Sequence, residues 1–122
     1  MVRTETPICD FNQAANDFNL KGVDGNYYSL NNLKGKNGLL VMFICNHCPY
    51  VKSVIHRIIR DTNDLKVLGV NSVAIMSNDP SEYDEDSFEN MQRIAIAMNF
   101  PFPYLLDETQ EIAKSYGAVC TP

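Results

Sequence analysis

No run of about 18 apolar residues occurs in the 122-residue chain, so a membrane-crossing helix is excluded. Positive charge is also scarce. Ten Lys and Arg stand against 15 Asp and Glu, a net charge of −5, whereas a nucleic-acid binder needs a basic face to meet the phosphates. The opening residues MVRTETPICD lack the apolar core of a secretory signal, which makes the cytoplasm the expected location. Four cysteines are too few to staple a disulfide miniprotein, so they read as chemistry. There is no phosphate-binding glycine loop, Ser-His-Asp arrangement or pair of catalytic carboxylates, and no internal repeat. What is present is one domain's length of chain, 45% hydrophobic and 20% charged, able to bury a core.

Residues 16–20 and 27–30 flank Val23-Asp24-Gly25-Asn26, whose turn chemistry predicts a β-hairpin, and residues 31–38 read as a polar loop. Leu39-Leu40-Val41-Met42-Phe43-Ile44 is apolar without alternation, which predicts a strand covered on both faces in the middle of a parallel sheet. From 46 to about 64 the spacing turns helical. Val51, Val54, Ile55, Ile58 and Ile59 share one face, and Arg57 and Arg60 fall near the expected carboxyl end. Val73-Ala74-Ile75-Met76, after Gly69, is a second strand. The acidic stretch 78–86 reads as a solvated loop entering a helix over 84–98 that buries Phe88, Met91, Ile94, Ala95 and Met98. Phe100-Pro101-Phe102-Pro103 cannot continue that helix, and Tyr104-Leu105-Leu106 is a short strand. Asp107 with Gln110 resembles a capping box opening a last helix, which Gly117 closes. Strands alternating with helices argue for an α/β sheet with parallel central strands and right-handed crossovers.

One constellation stands out, Cys45-Asn46-His47-Cys48-Pro49, where an apolar strand gives way to a helix. A cysteine in the first turn of a helix faces unpaired N–H groups and the positive end of the dipole, which favour the thiolate. A free cysteine, with a pKa near 8.5, is only about 3% ionised at pH 7. Cys45 is the expected nucleophile. Cys48, about one turn on, resolves the mixed disulfide. His47 adds a charge or a donor beside the sulfur, and Pro49 sits where a missing N–H costs least.

These residues resemble the thioredoxin-like superfamily, and within it the branch of the peroxiredoxins (alkyl hydroperoxide reductase and thiol-specific antioxidant proteins) and the membrane-tethered thiol–disulfide reductases. The resemblance is carried by Asn16-Asp17-Phe18 to Gly35, Val41-Met42-Phe43-Ile44, the Cys-x-x-Cys, and Tyr116-Gly117-Ala118-Val119-Cys120-Thr121-Pro122. It implies a single thioredoxin-like domain over residues 1–122, three-layered, with an N-terminal β-hairpin. It also implies that Pro122 is the cis-proline facing the disulfide. The C-terminal strands and helix of that fold are absent from the chain, so it reads as a truncated piece of a longer protein. Residues 39–44 would then present an apolar edge that a second copy could cover as a homodimer.

The expected activity is thiol–disulfide exchange on protein disulfides by Cys45 and Cys48 without a bound cofactor, with electrons from a thioredoxin- or glutathione-like donor. The first alternative is a thiol peroxidase in which Cys48, followed by proline as in peroxiredoxins, attacks hydroperoxide and Cys45 or Cys120 resolves. The second is a metal-binding or copper-delivery module using Cys45, Cys48 and a third ligand from Cys120, His47 or His56. Cys120 also stands as a possible third redox thiol. Cys9 reads as a bystander, His56 as a surface or packing residue, and Tyr50 as a flank of the substrate groove.

Overall fold

The structure, a computed structural model, describes residue 5 and residues 7–119. Within these residues five strands form one sheet: β1 (Leu20–Gly22), β2 (Tyr27–Tyr28), β3 (Gly38–Phe43), β4 (Val70–Met76) and β5 (Tyr104–Leu106), in the spatial order β2-β1-β5-β4-β3. β3 runs parallel to β4 from Gly38↔Val70 to Phe43↔Ile75, and β5 is parallel to β4 on its other side. β1 pairs antiparallel with β5 and with β2, so the hairpin is attached to the sheet through β5.

Among the described residues four helices cover the sheet: α1 (Leu30–Leu33), α2 (Pro49–Val67), α3 (Phe88–Ala97) and α4 (Glu111–Ser115). Strand alternation divides the core into two layers. Ala74 and Met76 of β4 pack with Val51 and Ile55 of α2 and Met91 of α3, while Val73 and Ile75 point the other way, to Phe18, Leu33 and Ile112. This is the three-layer α/β arrangement expected, and β4 is its spine, with Val73 to Met76 all fully buried. Among the described residues no helix is long and apolar enough to cross a membrane.

Several boundaries move. Composition alone places residues 39–44 in the middle of a sheet, whereas the resemblance implies an open edge; β3 is an edge strand, pairing only with β4 among the described residues, and Leu40 is 38% exposed. Its unbroken apolar run reflects helices over both faces and carries no information about how many strands flank it. The first hairpin strand begins at Leu20 rather than residue 16, because the Asp17 carboxylate takes the N–H groups of Phe18 and Leu30 (2.8 and 3.1 Å), outside any ladder. Tyr27–Tyr28 is likewise shorter than the expected 27–30. The expected loop 31–38 holds most of α1, opened by a capping box between Ser29 and Asn32.

Helix α2 starts and ends three residues later than its apolar spacing suggested. Leu68 is its C-cap, and Gly69 follows at φ +82°, a conformation that glycine adopts without a Cβ penalty. Arg57 and Arg60 therefore lie inside the helix, and Lys66 is the basic residue of the last turn. The expected helix over 84–98 divides into a 3₁₀ turn at Asp84–Asp86 and α3, which is N-capped by the Ser87 hydroxyl accepting from Asn90 N–H at 3.3 Å. The capping box expected from Asp107 and Gln110 is one-sided. Buried Asp107 receives the N–H groups of Ile112 and Ala113 (3.4 and 2.9 Å) and the Ser77 hydroxyl (2.8 Å), whereas Gln110 is the N-cap at φ +66° and returns no side-chain bond.

Candidate active site

The Cys-x-x-Cys turn occupies the link between β3 and α2. β3 ends at Phe43, but Ile44 N–H still donates to Ile75 carbonyl at 3.0 Å, so the sheet holds the backbone to the residue before Cys45. Asn46 and His47 form a bend. Cys48 is the N-cap of α2 in extended geometry, and its carbonyl accepts Lys52 N–H at 3.0 Å. Pro49 is at N1, as expected, where its missing N–H is one of the helix's orphans anyway.

This corrects the expectation that Cys45 lies in the first turn of a helix. Cys48 holds the helix mouth, and Cys45 stands three residues ahead of it, so the dipole argument applied to Cys45 passes to Cys48. His47 likewise precedes the helix rather than occupying its first turn. Cys45 and Cys48 are each 2% exposed and belong to one apolar cluster with Ile44, Val51, Ala74 and Tyr104.

The polar side of the turn is organised by a residue missed in the sequence, Asp86, which is fully buried at the end of the acidic stretch read as solvated loop. Asp86 Oδ1 accepts the backbone N–H groups of Asn46 (2.8 Å) and His47 (3.2 Å); Oδ2 contacts His47 Nδ1 and accepts from Asn78 Nδ2 at 3.1 Å. A buried carboxylate is tolerated when its lone pairs are satisfied in this way. The other acids of the stretch stay on the surface, where Glu85 pairs with Lys52 at 3.1 Å in a bridge too exposed to contribute much. The His47 ring also stacks on Tyr83, centroids 4.1 Å apart and planes 12° from parallel.

Asn46, inside the motif, was not singled out in the sequence either. Its Nδ2 donates to Glu85 carbonyl at 2.8 Å and its Oδ1 accepts the Tyr104 hydroxyl at 2.8 Å. Burial first, and then the negative charges of Cys45 and Asp86, push Tyr104 well above the usual tyrosine range, so it stays a neutral donor. The Cys45 thiol, a His47 ring nitrogen and an Asp86 carboxylate oxygen lie within 4.8 Å of one another, a donor grouping of the kind metals use. Both Asp86 oxygens and His47 Nδ1 take part in hydrogen bonds within this cluster.

The structure thus brings Cys45, His47 and Cys48 together and leaves others apart. His56 is exposed on α2, Cys9 is exposed in the N-terminal segment, and Tyr50 is exposed just after the turn. Cys120 and Pro122 lie outside the described residues. A sheet of this order, with a strand-to-helix Cys-x-x-Cys and helices on both faces, defines a thioredoxin-like fold, and the comparisons agree. The thioredoxin domain of a thiol-disulfide oxidoreductase from Bacteroides vulgatus superposes with a TM-score of 0.73 at 18% identity, over 94% of this chain and 79% of that one.

The chain belongs to the AhpC/TSA family, whose model matches residues 11–122. An uncharacterized conserved protein from Geobacillus kaustophilus is 51% identical over 90% of this chain and 59% of its own, with a TM-score of 0.87. A hypothetical protein from Sinorhizobium meliloti is 36% identical over 98% of this chain and 66% of its own, with a TM-score of 0.93. The chain therefore spans roughly three fifths to two thirds of the length of these two relatives. No curated protein matches it.

Proposed function

We propose that the chain is a thiol–disulfide oxidoreductase in which Cys45 and Cys48 form the exchanging pair. The observation that carries this is their placement. Two thiols three residues apart share one buried cluster at the strand-to-helix turn of a thioredoxin-like sheet, beside an imidazole held by a buried carboxylate. The Cys45 thiolate attacks a substrate disulfide; one sulfur of that disulfide leaves as a thiolate and takes up a proton, and the other remains bonded to Cys45. Cys48 then attacks that bond through its own sulfur, releasing the second substrate thiol and leaving a Cys45–Cys48 disulfide. The substrate gains two electrons and the pair loses them. A donor dithiol of the thioredoxin or glutathione class returns them by the same chemistry in reverse.

In the cytoplasm expected from the sequence, such donors keep the pair reduced and direct it toward reduction of protein disulfides. The 2% exposure of each cysteine means that a substrate sulfur reaches Cys45 only as the turn yields locally.

One observation favours a second reading, thiol peroxidase activity. Cys48, not Cys45, is the N-cap, with Pro49 at N1, which gives Cys48 the amide-rich setting of an attacking thiolate. Single substitutions separate the two. Under exchange, Cys48→Ser accumulates mixed disulfides through Cys45 when challenged with a disulfide-containing protein, and Cys45→Ser accumulates none. If Cys48 instead forms a sulfenic acid with hydroperoxide, and Cys45→Ser retains that reaction, the peroxidase reading replaces exchange.

A further inference from the structure

We propose that Asp86 is a positioning residue for Cys45, acting through His47; this deepens the exchange reading and rests on it. The sequence gives no reason to single out Asp86 from its acidic neighbours Asp79, Glu82, Asp84 and Glu85, which are all exposed. Asp86 alone is withdrawn from water, and three of its four contacts go to the two residues between the cysteines: Asn46 N–H, His47 N–H and His47 Nδ1. The fourth, from Asn78 Nδ2, steadies the carboxylate from β4's exit loop. A buried charge must be matched by bonded partners, and here the partners are nearly all supplied by the redox turn.

The geometry assigns His47 a defined state. A carboxylate on Nδ1 selects the tautomer in which Nδ1 carries the proton, leaving Nε2 as the basic nitrogen of the neutral ring. The stack on Tyr83 fixes the ring plane. The Cys45 sulfur, a ring nitrogen and the carboxylate lie within 4.8 Å of one another, so the ring is held beside the thiol, and loss of the thiol proton to the ring's basic nitrogen leaves a thiolate beside an imidazolium that Asp86 stabilises. Direct repulsion between Asp86 and the thiolate opposes this. For the thiolate to form, the hydrogen bond to the ring must outweigh that repulsion, with the imidazolium as the shared counter-ion.

The test is site-resolved alkylation by iodoacetamide at pH 7 in the Cys48→Ser chain, with exposed Cys9 as the internal reference for an ordinary thiol. The expected result is that Asp86→Asn slows Cys45 about tenfold, that Asp86→Glu restores part of the rate, and that Asp86→Asn changes it less than about twofold once His47 is already Gln. Equal slowing by Asp86→Asn with and without the His47 ring makes Asp86 a support for the loop only and overturns the inference. A readout on the unsubstituted chain covers the case in which Asp86→Asn does not fold. Nitrogen-15 shifts of neutral His47 are expected to show the Nδ1–H tautomer, and an Nε2–H ring overturns the proposal. A Cys45 no faster than Cys9 contradicts the exchange reading itself, whereas a fast Cys45 indifferent to Asp86→Asn contradicts only the role given to Asp86.

Discussion

Tyr104 links the sheet to the Cys-x-x-Cys turn through one hydroxyl. It donates to Asn46 Oδ1, and Asn46 in turn holds Glu85 carbonyl, so the acidic turn and β5 meet at a single amide. Tyr104→Phe keeps the ring packing but leaves a buried acceptor without its donor, and a loss of about 1–3 kcal/mol is expected in chemical denaturation. The same residue sets a pH dependence. Its folded pKa is raised above 10 by burial and then by the charges of Cys45 and Asp86, so the unfolded chain loses this proton first as pH rises. Its contribution to stability is complete below about pH 10 and declines as pH climbs from there toward the folded value. Denaturation midpoints measured from pH 9 to 11 should fall in the native residue more than in Tyr104→Phe; parallel curves would count against the assignment.

The elements carry their own tests. Gly69 ends α2 at φ +82°, and a Cβ there would also stand 2.7 Å from Asn37 Nδ2, which caps Leu68 carbonyl at 2.7 Å. Gly69→Ala therefore combines left-handed strain with a lost cap bond and should cost about 1–2 kcal/mol, read as a lowered denaturation midpoint with an unchanged slope. Asp107 plays the corresponding part for α4, holding two of its first N–H groups and Ser77 from a buried position. Asp107→Ala should cost about 1–3 kcal/mol, because it removes the cap and strands the Ser77 hydroxyl. These elements were largely legible in the sequence. Asp-Gly marked the hairpin, Gly117 closed its helix, and the 73–76 run after Gly69 marked the central strand. The ends were not. Apolar spacing cannot show that α2 waits for Pro49, or that Ser29 and Asn32 open a short helix where polar composition reads as loop.

At the scale of the whole molecule, what the sequence hid is what the fold brings from far away. Cys45, His47 and Cys48 are neighbours in the chain and were legible as a site. Asp86 reaches Asn46 across 40 positions and Tyr104 reaches it across 58, and no local pattern distinguishes either residue from its neighbours. The edge position of β3 was foreseeable only through the resemblance, since an apolar run by itself does not tell how many strands flank it. Its outer row of backbone groups has no strand partner among the described residues, and Leu40 contributes apolar surface beside it. The chain is expected to self-associate through this edge, and Leu40→Lys to shift it toward monomer in light scattering. A wild-type chain that stays monomeric at high concentration would contradict the pairing.

The central claim is that Cys45 and Cys48 interconvert between dithiol and disulfide, and equilibration of the full chain with mixtures of reduced and oxidised glutathione tests it most directly. Peptide mass spectrometry should find the segment carrying both residues losing a pair of hydrogens as the mixture becomes more oxidising, reversibly, with Cys9 following ordinary thiol behaviour. If both cysteines remain thiols throughout, or each takes up glutathione without closing on the other, the oxidoreductase account is wrong.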